Sequence, residues 1–155
     1  RDAALLYPGL GLLEATDVSV GRGTDAPFLR IGAPWIDADA LLAAVAHLPG
    51  LRIRTDTFTP RESKHAGRRC HGLSFRVADP KAVDAVRLGV TLARALLDNH
   101  AGQLSPGGLL TMLGHAASHR ALLAGDDVDA LLASWRDEHA RFAARSAAAR
   151  LYPRP

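Results

Sequence analysis

Residues 7–35 read YPGLGLLEATDVSVGRGTDAPFLRIGAPW, and the whole chain takes its organisation from this run. Five glycines (Gly9, Gly11, Gly21, Gly23, Gly32) and three prolines (Pro8, Pro27, Pro34) fall within it. Proline removes a backbone donor and glycine carries an entropic cost in a helix, so the run cannot be one helix. Short apolar pieces at 10–13 and 28–31 alternate with loops bearing Glu14, Thr16, Asp17, Ser19, Arg22 and Thr24. Loops of this composition present polar groups to a ligand from a rigid scaffold, which makes the run the candidate site. The apolar residues ahead of Glu14 place its carboxylate at the mouth of a short strand.

Outward from this run the pattern becomes regular. Asp37 is a suitable N-cap for a helix over 37–48, striped by Leu41, Leu42, Val45 and Leu48 and stopped by Pro49-Gly50. Residues 51–57 alternate Leu51, Ile53, Thr55 and Thr57 with Arg52, Arg54 and Asp56, the period of a half-buried strand. Residues 59–71 are polar and read as a loop, and 72–78 alternate again as a second strand. Asp79-Pro80 has the order of a cap and an N1 proline, opening a helix with Val83, Val86, Val90, Ala93 and Leu97 on one face and fading over 99–102. A turn at 105–108 precedes a helical stretch over 109–123, interrupted near Gly114. Asp126 or Asp127 then caps a last long helix striped by Val128, Leu131, Leu132, Trp135, His139 and Phe142, whose Ala-rich end drifts into Leu151-Tyr152-Pro153. The expectation is an α/β (α+β-like) fold: a small sheet near the N-terminal half covered by helices, and a helical C-terminal half.

A length of 155 residues suits one domain spanning 1–155 with a substantial core. No apolar run approaches the roughly 20 residues of a membrane span, so no membrane span is expected. The net charge is only +3, and its arginines are scattered among acids; with aromatics at 5%, the clustered basic face of a nucleic-acid binder is missing. Cys70 is the one cysteine, which excludes an internal disulfide and a Cys-rich zinc site. The chain begins at Arg1 with no signal-like segment, which suggests a piece of a longer protein.

Each candidate residue has two readings. Glu14 is a ligand-binding carboxylate or weak catalytic candidate, or else a structural partner of Arg22. Gly21-Arg22-Gly23-Thr24 is an anion-binding turn with a guanidinium fork, or a tight turn that Arg22 clamps to an acid. It lacks the glycine spacing and Lys of a P-loop, although a phosphate or nucleotide binder is a third reading of it. Lys64, one of two lysines, reaches a substrate carboxylate or lies in a solvated loop. Trp35 stacks on a sugar ring or belongs to the core. His115 and His119 have a zinc-compatible spacing, but Ala116, Ala117 and Ser118 between them lack the Glu of an H-E-x-x-H site, and no metal is expected. A buried structural Cys70 is preferred to a reactive thiol.

The motifs YPGLGLLEATDVSVGRGT and PFLRIGAPWID, then LPGLRIRTDTFTP, SKHAGRRCHGLSFRV and a helical tail ending RLYP, resemble the C-terminal domain of the NamZ-like exo-β-N-acetylmuramidases. These are peptidoglycan glycoside hydrolases, long catalogued as a domain of unknown function. The sequence departs from the family at Ala15 and Asp17, where Gly and Asn are expected, and at His65, where an aromatic is expected. The resemblance implies an auxiliary domain preceded by a Rossmann-like catalytic domain absent from this sequence, a peptidoglycan-derived sugar as ligand, no cofactor, and a periplasmic or secreted location. Substrate binding is expected of Glu14, Thr16, Ser19, Arg22, Gly23, Thr24, Trp35 and Lys64, with the Arg22 guanidinium matched to the lactyl carboxylate of N-acetylmuramic acid, the sugar that the resemblance implies.

Glycoside hydrolysis needs two carboxyl groups, and the chain has three Glu: Glu14, Glu62 and Glu138. Only Glu14 has motif support, and one carboxylate is not a mechanism. The resemblance implies that the catalytic acids come mainly from the preceding domain, with this chain closing the cleft, and this chain alone is expected to be inactive. The function expected is the substrate-binding half of an exo-muramidase that releases terminal N-acetylmuramic acid from the non-reducing end. The alternative is a non-catalytic carbohydrate- or partner-binding module.

Overall fold

The computed structural model describes residues 1–152. It contains α1 (Asp2–Leu10), a 3-10 turn (Gly11–Leu13), β1 (Arg30–Ala33), α2 (Ala38–Val45), β2 (Leu51–Phe58) and β3 (Cys70–Val77). The helices α3 (Ala85–Asn99), α4 (Pro106–Leu113), α5 (Ala116–Ala124), α6 (Val128–Ser134) and α7 (Arg136–Ala147) follow. The three strands form an antiparallel sheet in the order β1-β3-β2, with Ile31 opposite Leu73 and Ile53 opposite Phe75. This is the expected small sheet in the N-terminal half with a helical C-terminal half.

One face of the sheet is apolar because Ile31, Ile53, Leu73 and Phe75 alternate with polar residues along their strands. These side chains join Leu6, Leu10 and Leu13 of the first helical segment, Leu41 and Val45 of α2, and Leu88, Leu92 and Leu96 of α3 in one core. A second, smaller core of Val90, Leu122 and Leu131 binds α5 and α6 to α3. The remaining face of the sheet carries Arg30, Arg52, Arg54 and Arg76.

Several boundaries differ from the sequence reading. Residues 2–10 are helical despite Pro8, and the apolar residues 10–13 finish that helix and enter a 3-10 turn rather than a strand. Tertiary packing explains this: a Cβ on Gly9 would lie 1.8 Å from the Ala85 carbonyl oxygen, so α1 and α3 touch backbone to backbone. Glu14 consequently follows a helical turn, not a strand mouth. β3 begins at Cys70, two residues earlier than the alternation suggested. Asp37 caps α2 as expected, through Oδ1 to the amides of Asp39 and Ala40, but α2 ends at Val45.

Asp79-Pro80 starts only a turn; α3 is capped by Asp84, whose Oδ1 accepts from the Arg87 amide at 2.9 Å. Its buried stripe is Leu88, Leu92, Ala93 and Leu96 with Val90, while Val86 is exposed. α4 starts at Pro106, inside the expected turn, and the expected break falls at Gly114 with φ 61°. The last long helix is in fact two, broken at Trp135, and α7 buries no residue; Phe142 is 59% exposed. Pro153 of the expected tail lies outside the described residues.

Candidate functional site

The site is built on the turn that leaves the first helical segment. The 3-10 turn ends at Glu14, and the Gly21–Thr24 turn folds back so that Arg22 reaches it: Arg22 Nε and Nη2 each lie 2.5 Å from Glu14 Oε1. The Arg22 guanidinium also lies over the Phe28 ring, 5.1 Å from its centroid, and Tyr7 packs against the same ring at 4.7 Å. A planar guanidinium gains from both a carboxylate edge and an aromatic face, so its position is fixed. Its side chain stays half exposed.

The β2–β3 loop closes over this pair. Lys64 Nζ donates to the Glu14 main-chain carbonyl, and His65 Nε2 lies 2.6 Å from the Asp17 carbonyl. Arg61 donates its amide to the Gly23 carbonyl at 2.8 Å, and Gly23 has no room for a side chain against Glu62. Ser63 and His65 hold left-handed backbone at φ 68° and 58°, and Phe28 does so at 58°. Non-glycine residues in that region are strained, and such strain collects at functional sites. Partial burial lowers the Lys64 pKa below its ordinary 10.5, against the opposing pull of Asp17 and Glu14; Arg22 lowers it further.

Beside the pair lies a hollow of about 580 Å³ lined by Arg22, Gly23, Thr24, Pro27, Arg61 and Glu62, among others. The structure therefore brings Glu14, Arg22, Gly23, Thr24 and Lys64 together. Thr16 and Ser19 are buried, and their hydroxyls serve their own loop: Thr16 Oγ1 donates to the Leu13 carbonyl and Ser19 Oγ accepts from the Gly21 amide. The Thr24 hydroxyl likewise donates to the Gly21 carbonyl at 2.7 Å, and its amide closes the turn on the same oxygen. Two of the four turn amides are thus engaged internally, which leaves little of an anion nest. Trp35 packs on the core with its ring 5.2 Å from that of His100.

Beyond the expected binding residues the site also draws on Asp17, Phe28, Arg61, Glu62 and His65, of which Asp17 enters the sequence reading only as a loop residue of the candidate run. Phe28 and His65 carry no chemical signal in sequence, since their left-handed backbone shows only in three dimensions. His115 Nδ1 lies 2.6 Å from Ser118 Oγ and His119 Nε2 lies 2.8 Å from the Pro106 carbonyl, so the two rings have separate partners. Cys70 is fully buried, and burial raises its thiol pKa.

Residues 5–152 match the family described as exo-beta-N-acetylmuramidase NamZ, C-terminal. The chain belongs to that family. Among curated proteins it is similar to the peptidoglycan beta-N-acetylmuramidase NamZ of Bacillus subtilis (strain 168), at 40% identity over 99 residues. That match covers 63% of this chain and 24% of the relative, so the chain spans about a quarter of the curated protein it matches.

Two solved DUF1343 family proteins of Bacteroides fragilis NCTC 9343 share the NamZ C-terminal fold seen here, each at 22% identity. One superimposes with a TM-score of 0.67 over 99% of this chain and 41% of its own. The other gives 0.58 over 79% of this chain and 32% of its own. No helix among the described residues is long and apolar enough to cross a membrane.

Proposed function

We propose that this NamZ-family chain is the substrate-binding half of a peptidoglycan exo-β-N-acetylmuramidase, recognising terminal N-acetylmuramic acid through the Glu14–Arg22–Lys64 cluster. The observation that carries the reading is the Arg22 guanidinium, braced by Glu14 and Phe28 at the rim of the 580 Å³ hollow. A guanidinium has five N–H donors, and the Glu14 carboxylate engages only two nitrogens of the fork. The remaining donors suit the lactyl carboxylate that separates muramic acid from glucosamine. Lys64 adds a second positive charge beside it, and the hollow has the volume of a small-ligand site.

Hydrolysis requires a second, separately placed carboxyl group. Glu14 is occupied by Arg22, and Glu62 lines the hollow without an orienting partner among the described bonds. The catalytic carboxylates of this reading come from a preceding domain, whose cleft this surface closes, in a protein exported to the periplasm or beyond for cell-wall recycling. Calorimetric titration with N-acetylmuramic acid and N-acetylglucosamine tests the binding half. Arg22→Ala should weaken muramic acid at least about tenfold, the weight of a charge-assisted bond, and leave glucosamine little changed. Equal loss for both sugars would give Arg22 a purely structural role. A chromogenic muramic-acid glycoside should not be turned over by this chain alone, and turnover would overturn the division of labour.

A further inference from the structure

The outer face of the sheet has no part in that reading. Residues directly opposite in an antiparallel pair share a face, so the register Arg52↔Arg76 and Arg54↔Ser74↔Arg30 puts four arginines on one surface. They line a hollow of about 530 Å³ with Asp25, Asp56 and Ser74. Arg30 is the inner member: it lies over the Phe58 ring and pairs with Asp56 at 3.3 Å and Asp25 at 3.4 Å. Arg52, Arg54 and Arg76 are exposed and are in no ion pair among the described residues.

Four arginines against two aspartates leave a surplus of two positive charges. Arg52 and Arg76 stand directly across from each other, an arrangement that repels in the free protein. Beside them β2 pairs on one side only, with β3, so its other edge has no strand partner among the described residues. Of the amides on that edge, Thr57 alone is engaged by a side chain among the described residues, donating to Asp56 Oδ1 at 2.9 Å.

We propose that this surface captures an acidic peptide in extended conformation, added to the free edge of β2 with carboxylates at alternate positions facing Arg52 and Arg54. The match is one of period. Arg52 and Arg54 are two residues apart on a strand, about 7 Å, and alternate side chains of an added strand repeat at the same spacing on the same face. Main-chain hydrogen bonds along the edge supply affinity, and Arg–carboxylate pairs supply the choice of sequence. A phosphate polymer or nucleic acid would use the charge but neither the edge nor the spacing. The groove aromatics Phe58 and Phe75 are buried, so no exposed ring there stacks on a base.

The test is fluorescence anisotropy with a labelled peptide of alternating Glu and Thr, titrated with the whole chain at low salt. The alternating peptide should bind. Its Gln counterpart should fail, and a peptide of equal composition with its Glu residues contiguous should bind at least about tenfold more weakly, by loss of a charge-assisted pair. N-methylation of alternate backbone nitrogens, made in both registers, should abolish binding in one register.

Arg52→Gln/Arg54→Gln should remove binding, while Arg120→Gln/Arg136→Gln on the helical half should not. Arg52→Gln alone should also raise the thermal midpoint, because it relieves the repulsion with Arg76. Equal binding of the alternating and contiguous peptides, indifference to N-methylation in both registers, or an equal loss in the helical-half variant would overturn the proposal. So would displacement of the alternating peptide by tripolyphosphate at lower concentration than by unlabelled peptide. Arg22→Ala should leave this binding unchanged, which separates it from the sugar site.

Discussion

Arg22 turns two nitrogens onto a single carboxylate oxygen of Glu14, at 2.5 Å each, from eight residues further along the chain. The pair ties the turn after the 3-10 segment to the Gly21–Thr24 turn. With Arg22 half exposed, solvent screens the attraction, and such pairs stabilise a fold by about 0–1 kcal/mol. Glu14→Gln should therefore move the thermal midpoint by no more than ~4 °C. Muramic-acid affinity should fall at least about tenfold, because the guanidinium loses the partner that aims it. A large fall in midpoint with affinity intact would show the pair to be a structural clamp alone.

Gly23 tests whether the β2–β3 loop belongs to the site. Its φ is 77°, and a Cβ there would come within 2.3 Å of the Glu62 carbonyl oxygen. Gly23→Ala should push residues 61–65 outward and break the Arg61 amide bond to the Gly23 carbonyl. Lys64 would then leave Glu14. The expected result is weaker sugar binding together with faster amide exchange at Arg61, and a destabilisation of ~1–3 kcal/mol. Unchanged exchange at Arg61 would mean that the loop is held by other contacts.

Much of this was legible in the chain itself. The alternation over 51–57 and 72–78 located β2 and β3, Asp37 marked the start of α2, and Gly114 marked a break. The motif around Glu14 and Arg22 named the two residues that meet. What escaped depended on partners distant in sequence. α1 exists with Pro8 inside it because Gly9 fits against Ala85 of α3. The α3 stripe was legible only in part: Val90 and Ala93 are buried as expected, but Leu88, Leu92 and Leu96 are buried with them and Val86 is exposed. Thr16 and Ser19 have the composition of ligand-binding residues, yet their hydroxyls close their own turns. Local polarity cannot distinguish those two uses.

The α1–α3 crossing is the tightest packing in the fold that a single substitution can probe. A Cβ on Gly89 would lie 2.3 Å from the Gly9 carbonyl oxygen, which is backbone and cannot rotate away. Gly89→Ala gains up to about 1 kcal/mol in helix propensity. Overpacking costs about 1–3 kcal/mol or more and should win. The expected outcome is a net loss of stability in guanidinium unfolding. A gain would show that the helices separate without penalty.

Lys64 gives the site a pH signature. Burial lowers its folded pKa below 10.5, so between that lowered value and 10.5 the unfolded chain binds more protons than the folded one. Stability contributed by this residue therefore rises with pH through that window and is flat outside it. Cys70 works in the other direction above pH 9.0, since its folded pKa is raised and the folded chain keeps a proton that the unfolded chain loses. Comparing the wild type with Lys64→Met cancels the Cys70 contribution, and the difference in unfolding free energy should move in favour of the wild type as pH rises. Binding moves the other way. Muramic-acid affinity should decline as Lys64 loses its proton, at a pH below that of an ordinary lysine, whereas Lys64→Arg should hold its affinity across the same range. A wild-type affinity that is flat through pH 10.5, in a chain still folded by circular dichroism, would remove Lys64 from the binding surface and leave Arg22 as its cation.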